Sequence, residues 1–216
     1  MLDLLLERLA GYRGSQVMNQ YAQQDPDHDL PDAPRIRMNN LVLYLDAFAN
    51  AQYVLLAEAA GYQGCRFSGV PMTSEELLCG DRALPWARHA AYRRSSSRRT
   101  LWREPSATIL WRALGGRADC LIWNTFPWHP IGRRGVLSNR APRSQEIADG
   151  AALIPILRTL FPRATWAAIG RVAEGACVSA GMAPRYLRHP AHGGKPEFVV
   201  GLKALLTDNP PGGHDE

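Results

Sequence analysis

The sequence predicts one α/β domain of three layers, α/β/α, with a central, mainly parallel four-stranded sheet. Three observations carry this expectation. Four short apolar runs, at 53–57, 120–123, 165–169 and 185–187, have strand length. Segments with helical spacing, at 40–50, 106–114, 144–160 and 172–180, surround and separate them, and such alternation implies a parallel sheet covered on both faces. Each run ends in a polar or special residue, Glu58, Asn124, Gly170 and His189, where sheets of this kind collect their ligand sites. A chain of 216 residues, 46% hydrophobic and 21% charged, can bury one sizeable core, so a single domain over 1–216 is expected.

In chain order, residues 1–50 read as a helical region and 53–206 as the core. Leu2, Leu5, Leu6 and Leu9 make an apolar stripe, while Asp3, Glu7 and Arg8 interrupt what would otherwise read as a signal-peptide core. The polar stretch 23–35, rich in Asp and Pro, breaks regular structure before helical spacing resumes at 40–50. The run 53–57 leads through Glu58 into a glycine-bearing loop. The interval 87–100 carries Arg88, Arg93, Arg94, Arg98 and Arg99 among serines, and reads either as a solvated loop or as a phosphate-contacting arm. The aromatic segment 123–130 is expected to place Trp123 in the core and Trp128 and His129 on a pocket wall.

The charge balance suits a polyanionic partner: 25 Lys and Arg against 20 Asp and Glu, a formal +5. Cys65, Cys79, Cys120 and Cys177 contain no C-x-x-C pair and read as buried thiols in a reducing compartment. No apolar stretch reaches membrane-spanning length, so a soluble, cytoplasmic chain is expected. Neither G-x-G-x-x-G nor a P-loop follows any run, which argues against nicotinamide, flavin and nucleoside-triphosphate chemistry.

Glu58, Asn124 and His189 are the candidate chemical groups. A lone carboxylate or imidazole at a strand end is commonly a solvated or hydrogen-bonded structural residue. All three at the ends of one parallel sheet converge on one crevice, and a carboxylate, an amide and an imidazole suit work on a nucleobase.

The order and surroundings of these residues resemble the uracil-DNA glycosylase superfamily. The chain has Ala57-Glu58-Ala59-Ala60-Gly61, then Tyr62 and Gln63, then Gly64-Cys65-Arg66-Phe67-Ser68-Gly69, where branches of the family have G-E-A-P-G and G-x-x-F-x-G. The strand ending in Asn124, Asn139-Arg140-Ala141-Pro142 before Gln145-Glu146-Ile147, the junction Ala167–Ala173 and the closing His189-Pro190-Ala191 follow in the family's order. The likeness spans roughly residues 53–206.

The resemblance implies a monofunctional enzyme that removes uracil from DNA. The flipped base would stack on Phe67 beside Gly61, be read by Asn124 along its pairing edge, and meet His189 at its 2-carbonyl; Glu58 would orient water and stabilise the sugar cation. Arg93, Arg94, Arg98 and Arg99, with His192 and Lys195 of the loop after His189, would contact DNA. The expected partner is uracil-containing DNA, bound by a monomer without membrane, cofactor or metal. No iron–sulfur cluster is expected, because no cysteine precedes Cys65. Gly61, where selective members carry a bulky aromatic, leaves open a wider range including hypoxanthine and xanthine; Ala57 and Ala60 leave open a catalytically silent binder of DNA or nucleobase. One branch forms a covalent adduct through a histidine in a basic insertion. Gly132-Arg133-Arg134-Gly135 is a partial likeness, but Asn139 stands at the histidine's place and His129 is the nearest imidazole.

Overall fold

A computed structural model describes residues 1–191 and 193–208. In chain order the elements are α1 (Leu2–Gly11), β1 (Val17–Met18), α2 (Ala33–Ala47), β2 (Tyr53–Ala59), α3 (Cys65–Ser68), α4 (Glu75–Cys79), α5 (Pro105–Leu114), β3 (Cys120–Phe126), β4 (His129–Gly132), β5 (Gly135–Asn139), α6 (Ser144–Ala151), α7 (Ile154–Leu160), β6 (Thr165–Ile169), α8 (Arg171–Ser179), β7 (Arg185–Leu187) and α9 (Lys195–Asp208).

The central sheet has the order β3-β2-β6-β7 and every pairing in it is parallel. Its strands are the four apolar runs, and helices flank it. From β2 the chain moves first to one side, forming β3, and later to the other, forming β6 and then β7. The order therefore reverses beside β2. At such a point the outgoing connections diverge and leave a crevice at the carboxyl ends of the strands. Here those ends carry Glu58, Gly170 and His189.

β2 is buried from Tyr53 to Ala57, as a strand covered on both faces must be. Helices α6 and α8 pack on this sheet and on each other, and α9 lies along β7. Gly150 of α6 faces the backbone of β3, where a Cβ would sit 2.0 Å from the Thr125 carbonyl oxygen. Glycine at that turn is what lets the helix approach so closely. The Tyr44 hydroxyl of α2 donates to the Ile122 carbonyl at 3.1 Å and accepts the Ile122 N–H at 2.6 Å, tying this helix to the sheet. Tyr44, Phe48, Trp86 and Trp111 interlock beneath it at ring separations of 4.6–6.1 Å.

The structure departs from the sequence reading in several places. β3 runs to Phe126 rather than ending at 123, because pairing with β2 continues through Ala57↔Asn124 and Ala59↔Phe126 after the apolar run has stopped. The helical pattern at 144–160 is two helices, and Pro155 near the start of α7 has no N–H to continue an earlier helix. Helix α2 begins at Ala33, inside the stretch expected to be irregular, with Pro34 in its first turn. A second sheet, antiparallel in the order β1-β4-β5, was not anticipated. Of the cysteines, Cys65, Cys120 and Cys177 are buried and Cys79 is exposed. Among the described residues no helix is long and apolar enough to cross a membrane.

Candidate active site

A crevice of about 630 Å³ opens at the reversal point, lined among others by Glu58, Gly61, Glu104, Asn139, Arg171 and His189. Of the residues expected to converge, Glu58, Gly61 and His189 line this crevice, whereas Asn124 and Phe67 are not among its lining residues.

Glu58 is the penultimate residue of β2 and is half-buried. Burial raises its pKa above the ordinary carboxylate value, because a charged carboxylate loses hydration there. The loop that follows is tied down on three sides. The Ala60 N–H donates to the Phe126 carbonyl at 3.3 Å, and the Tyr62 N–H donates to Asn139 Oδ1 at 2.9 Å. The third tie is His129, whose ring nitrogens lie 3.0 Å from the carbonyl oxygens of Ala60 and Val136. His129 is fully buried and joins this loop to the β4–β5 hairpin, so it is not on the pocket wall as expected. Trp128 is also core: its ring stacks on Tyr12 at 3.9 Å and its N–H donates to the Leu9 carbonyl at 2.9 Å, fixing α1.

His189 follows β7 and stands beside Gly170, the residue after β6. A Cβ at Gly170 would make ordinary contact with the His189 side chain at 3.5 Å, and it is the backbone, at φ +87°, that calls for glycine here. The Ala191 N–H donates to His189 Nδ1 at 3.1 Å. A neutral ring that accepts at Nδ1 carries its proton on Nε2, which makes His189 a hydrogen-bond donor at that atom.

Asn124 lies within β3 rather than after it, paired in register with Ala57, the residue before Glu58. It is fully buried, and among the described residues neither its Oδ1 nor its Nδ2 has a hydrogen-bond partner. Phe67, in α3, is also fully buried. Its ring is stacked nearly parallel on Trp102, with centroids 5.2 Å apart and planes 11° apart, and the Arg66 guanidinium sits 4.1 Å from the ring centroid.

Segment 98–104 contributes two residues that sequence reasoning missed. Trp102 is one; Glu104 is the other. A Cβ on Gly61 would sit 2.6 Å from Glu104 Oε1, and one on Gly64 would sit 2.0 Å from Oε2. The room beside Gly61 is thus taken by a carboxyl group. Burial pushes the Glu104 pKa up to about 7. Glu104 precedes Pro105 at the first turn of α5, and a glutamate there reads as an ordinary helix-start residue, so the sequence carried no signal for it.

The arginine interval is anchored rather than loose. Ser96 bridges to Asp29, and the buried Glu75 carboxylate accepts from the N–H groups of Ser95 and Ser96 at 2.9 and 2.8 Å and from the Ser96 hydroxyl at 2.6 Å. Arg94 is spent on the loop itself, donating to the carbonyls of Ser96 and Arg98. Arg93, Arg98 and Arg99 are exposed, and Arg98 lies 4.3 Å over the Trp102 ring. Lys195 is exposed at the first position of α9, and His192 lies outside the described residues. Arg140 pairs with Glu146 through both carboxylate oxygens at 2.6 and 2.7 Å, while Glu146 accepts the Arg143 N–H at 2.7 Å. The Asn-Arg-x-Pro segment therefore leads into α6 through a charged clamp, with Asn139 left on the crevice.

No family model and no curated protein matches the chain. Among solved structures, the wild-type SMUG2 of Pedobacter heparinus superposes with a TM-score of 0.59 at 14% sequence identity, over 95% of this chain and 97% of that one. The chain shares its fold, nearly end to end, with that protein.

Proposed function

We propose that the chain is a monofunctional DNA glycosylase that hydrolyses the N-glycosidic bond of uracil in DNA and leaves an abasic site for base excision repair. The fold shared with a uracil-DNA glycosylase superfamily member supports the class. One observation carries the substrate. Asn124 presents a donor and an acceptor side by side, fully buried and unpartnered, next to the strand that bears Glu58. An unsatisfied buried polar group costs about 1–3 kcal/mol, so an amide kept there with both atoms unmatched calls for a ligand that completes it. The imide edge of uracil, one N–H beside a carbonyl, is that complement. Cytosine offers the opposite pattern at the same two positions, so an amide held in the orientation that pairs with uracil is mismatched to it.

The target base reaches such a site only when extruded from the stack. A base that stacks on Phe67 displaces Trp102, whose indole covers that ring. Bond cleavage then develops positive charge on the sugar and negative charge on the departing base. Glu58 supplies the carboxylate for the first, orienting water toward the sugar carbon. His189, protonated at Nε2, supplies a donor for the second. Arg93, Arg98, Arg99 and Lys195 are exposed cations available to phosphates.

The test is incubation of the purified chain with a labelled uracil-containing oligonucleotide, followed by alkaline cleavage of abasic sites. Scission at uracil and none at cytosine is expected. Retardation of the oligonucleotide without scission would mark a silent binder; scission at hypoxanthine or xanthine would mark the wider range.

A further inference from the structure

The mechanism above uses one carboxylate, but the crevice holds two. Glu104 reaches it from the start of α5, and its carboxyl group rests on the backbone at Gly61 and Gly64. Any side chain at either glycine would collide with it, since a Cβ would lie 2.6 and 2.0 Å from its two oxygens. Glycine at both positions leaves this carboxyl group room against the loop after Glu58. Among the described residues no cation forms an ion pair with it. The charged and titratable groups that share the crevice with it are Glu58 from β2, Arg140 beyond β5, Arg171 from α8, and Arg188 and His189 beyond β7, and Cys65 of α3 lies close enough to feel its charge. Arg140 and Arg171 are already engaged, by Glu146 and Glu174.

We infer that Glu104 is the general acid of this site, handing its proton to the departing base while Glu58 receives the proton of the attacking water. The inference rests on the glycosylase reading. In the step, the bond between the sugar carbon and the base nitrogen breaks and its electron pair stays with the base. The Glu104 carboxyl proton passes to the base, which leaves neutral. Water forms the new bond to the sugar carbon and gives a proton to the Glu58 carboxylate. Exchange with solvent moves that proton off Glu58 and restores one to Glu104, so the net change is addition of one water. Burial raises the pKa of both carboxyl groups, and Glu104, with no cation paired to it among the described residues, holds its proton up to about pH 7.

A general acid matters most for a poor leaving group, and fluorine at the 5-position makes uracil a better one. The experiment compares the parent and Glu104→Gln on single-stranded oligonucleotides carrying uracil or 5-fluorouracil, across pH, with circular dichroism to verify folding. At about pH 6 the variant is expected to lose at least about 10-fold on uracil and under about 3-fold on 5-fluorouracil. The parent is expected to lose activity on uracil as pH rises through about 7, a limb absent from the variant and weakened on 5-fluorouracil. Equal losses on both substrates, or an unchanged pH profile in the variant, would overturn the inference. Should the variant fail to fold, the parent alone decides: an alkaline limb equally steep on both substrates refutes it. A parent inactive on every uracil substrate would instead fail the glycosylase reading, and this inference with it.

Discussion

Replacing Asn124 by leucine should make the protein more stable and less active at once. The side chain is fully buried in β3 and neither amide atom is hydrogen-bonded. Two such groups taken from water without partners cost about 1–3 kcal/mol each, whereas leucine has nearly the same shape and no polar atom to desolvate. Allowing for imperfect fit of the branched end, a net gain of about 1–2 kcal/mol remains. For a domain of this size that corresponds to a rise in Tm of about 2–8 °C. The same change removes both hydrogen bonds to the pairing edge of the base, so excision from a uracil oligonucleotide should fall by at least about 10-fold. Thermal unfolding followed by circular dichroism and the alkaline-cleavage assay on one preparation read the two effects together. A variant with an unchanged or lowered Tm that still excises uracil would show that the amide serves the fold, and the argument for uracil would fall with it. Trading stability for a binding group in this way is common where a site must hold polar atoms ready for a ligand.

Glu58→Gln keeps the size of the side chain and removes the carboxylate, so the fold should survive while excision drops by at least about 10-fold; a parent-like rate in a folded variant would remove Glu58 from the mechanism. Arg93→Ala, Arg98→Ala and Arg99→Ala combined should weaken binding to DNA with and without uracil, and should lower the slope of log affinity against log salt by up to about 3, nearly one for each phosphate that is no longer neutralised. Parallel slopes for parent and variant in fluorescence anisotropy titrations would mean that these side chains never meet phosphate. Arg94 is left in place in that variant because it holds the loop's own carbonyls.

The parallel sheet was legible because its strands are buried on both faces and must be short and apolar throughout, as at 53–57 and 165–169. The second sheet was not, because its strands draw pairing from backbone rather than from apolar pattern: β1 is two residues long, and β4–β5 wraps a turn of glycines and arginines. The reach of β3 to Phe126 was hidden for a related reason, since Asn124 and Thr125 are polar residues inside a buried strand, the place where local rules fail for the sake of a site. Glu58 and His189 could be placed because topology alone brings strand ends together, whereas Gly61 was reached only through the family resemblance. Trp102 and Glu104 could not, since they arrive on a connection with no periodicity, and only the collision of a would-be Cβ at Gly61 and Gly64 reveals what those glycines accommodate. Trp128 and His129 misled because a buried indole or imidazole satisfied by distant carbonyls has no local mark that separates it from a pocket residue.

The chemistry also predicts ordinary turnover, without a protein–DNA adduct. An adduct needs a nucleophile with an available lone pair at the sugar carbon. Asn139 stands where the adduct-forming branch carries its histidine, and an amide nitrogen delocalises its lone pair into the carbonyl; its oxygen, moreover, accepts the Tyr62 N–H. His129 is fully buried, with both ring nitrogens against the Ala60 and Val136 carbonyls, and reaching the crevice would require undoing the very hydrogen bonds that hold the Glu58 loop. His189 is in the crevice, but its Nδ1 lone pair takes the Ala191 N–H and its Nε2 therefore carries the proton, which suits donation to a leaving base and not attack on a cation. Water at Glu58 is left as the acceptor of the sugar cation. Denaturing electrophoresis of the chain after incubation with uracil-containing single strands should show no heat-stable shifted band. Such a band, abolished by His189→Ala, would mean that the ring turns over to present an unprotonated nitrogen; abolished instead by His129→Ala, it would mean that the loop opens during the reaction. Either result would refute the assignment of water as the nucleophile.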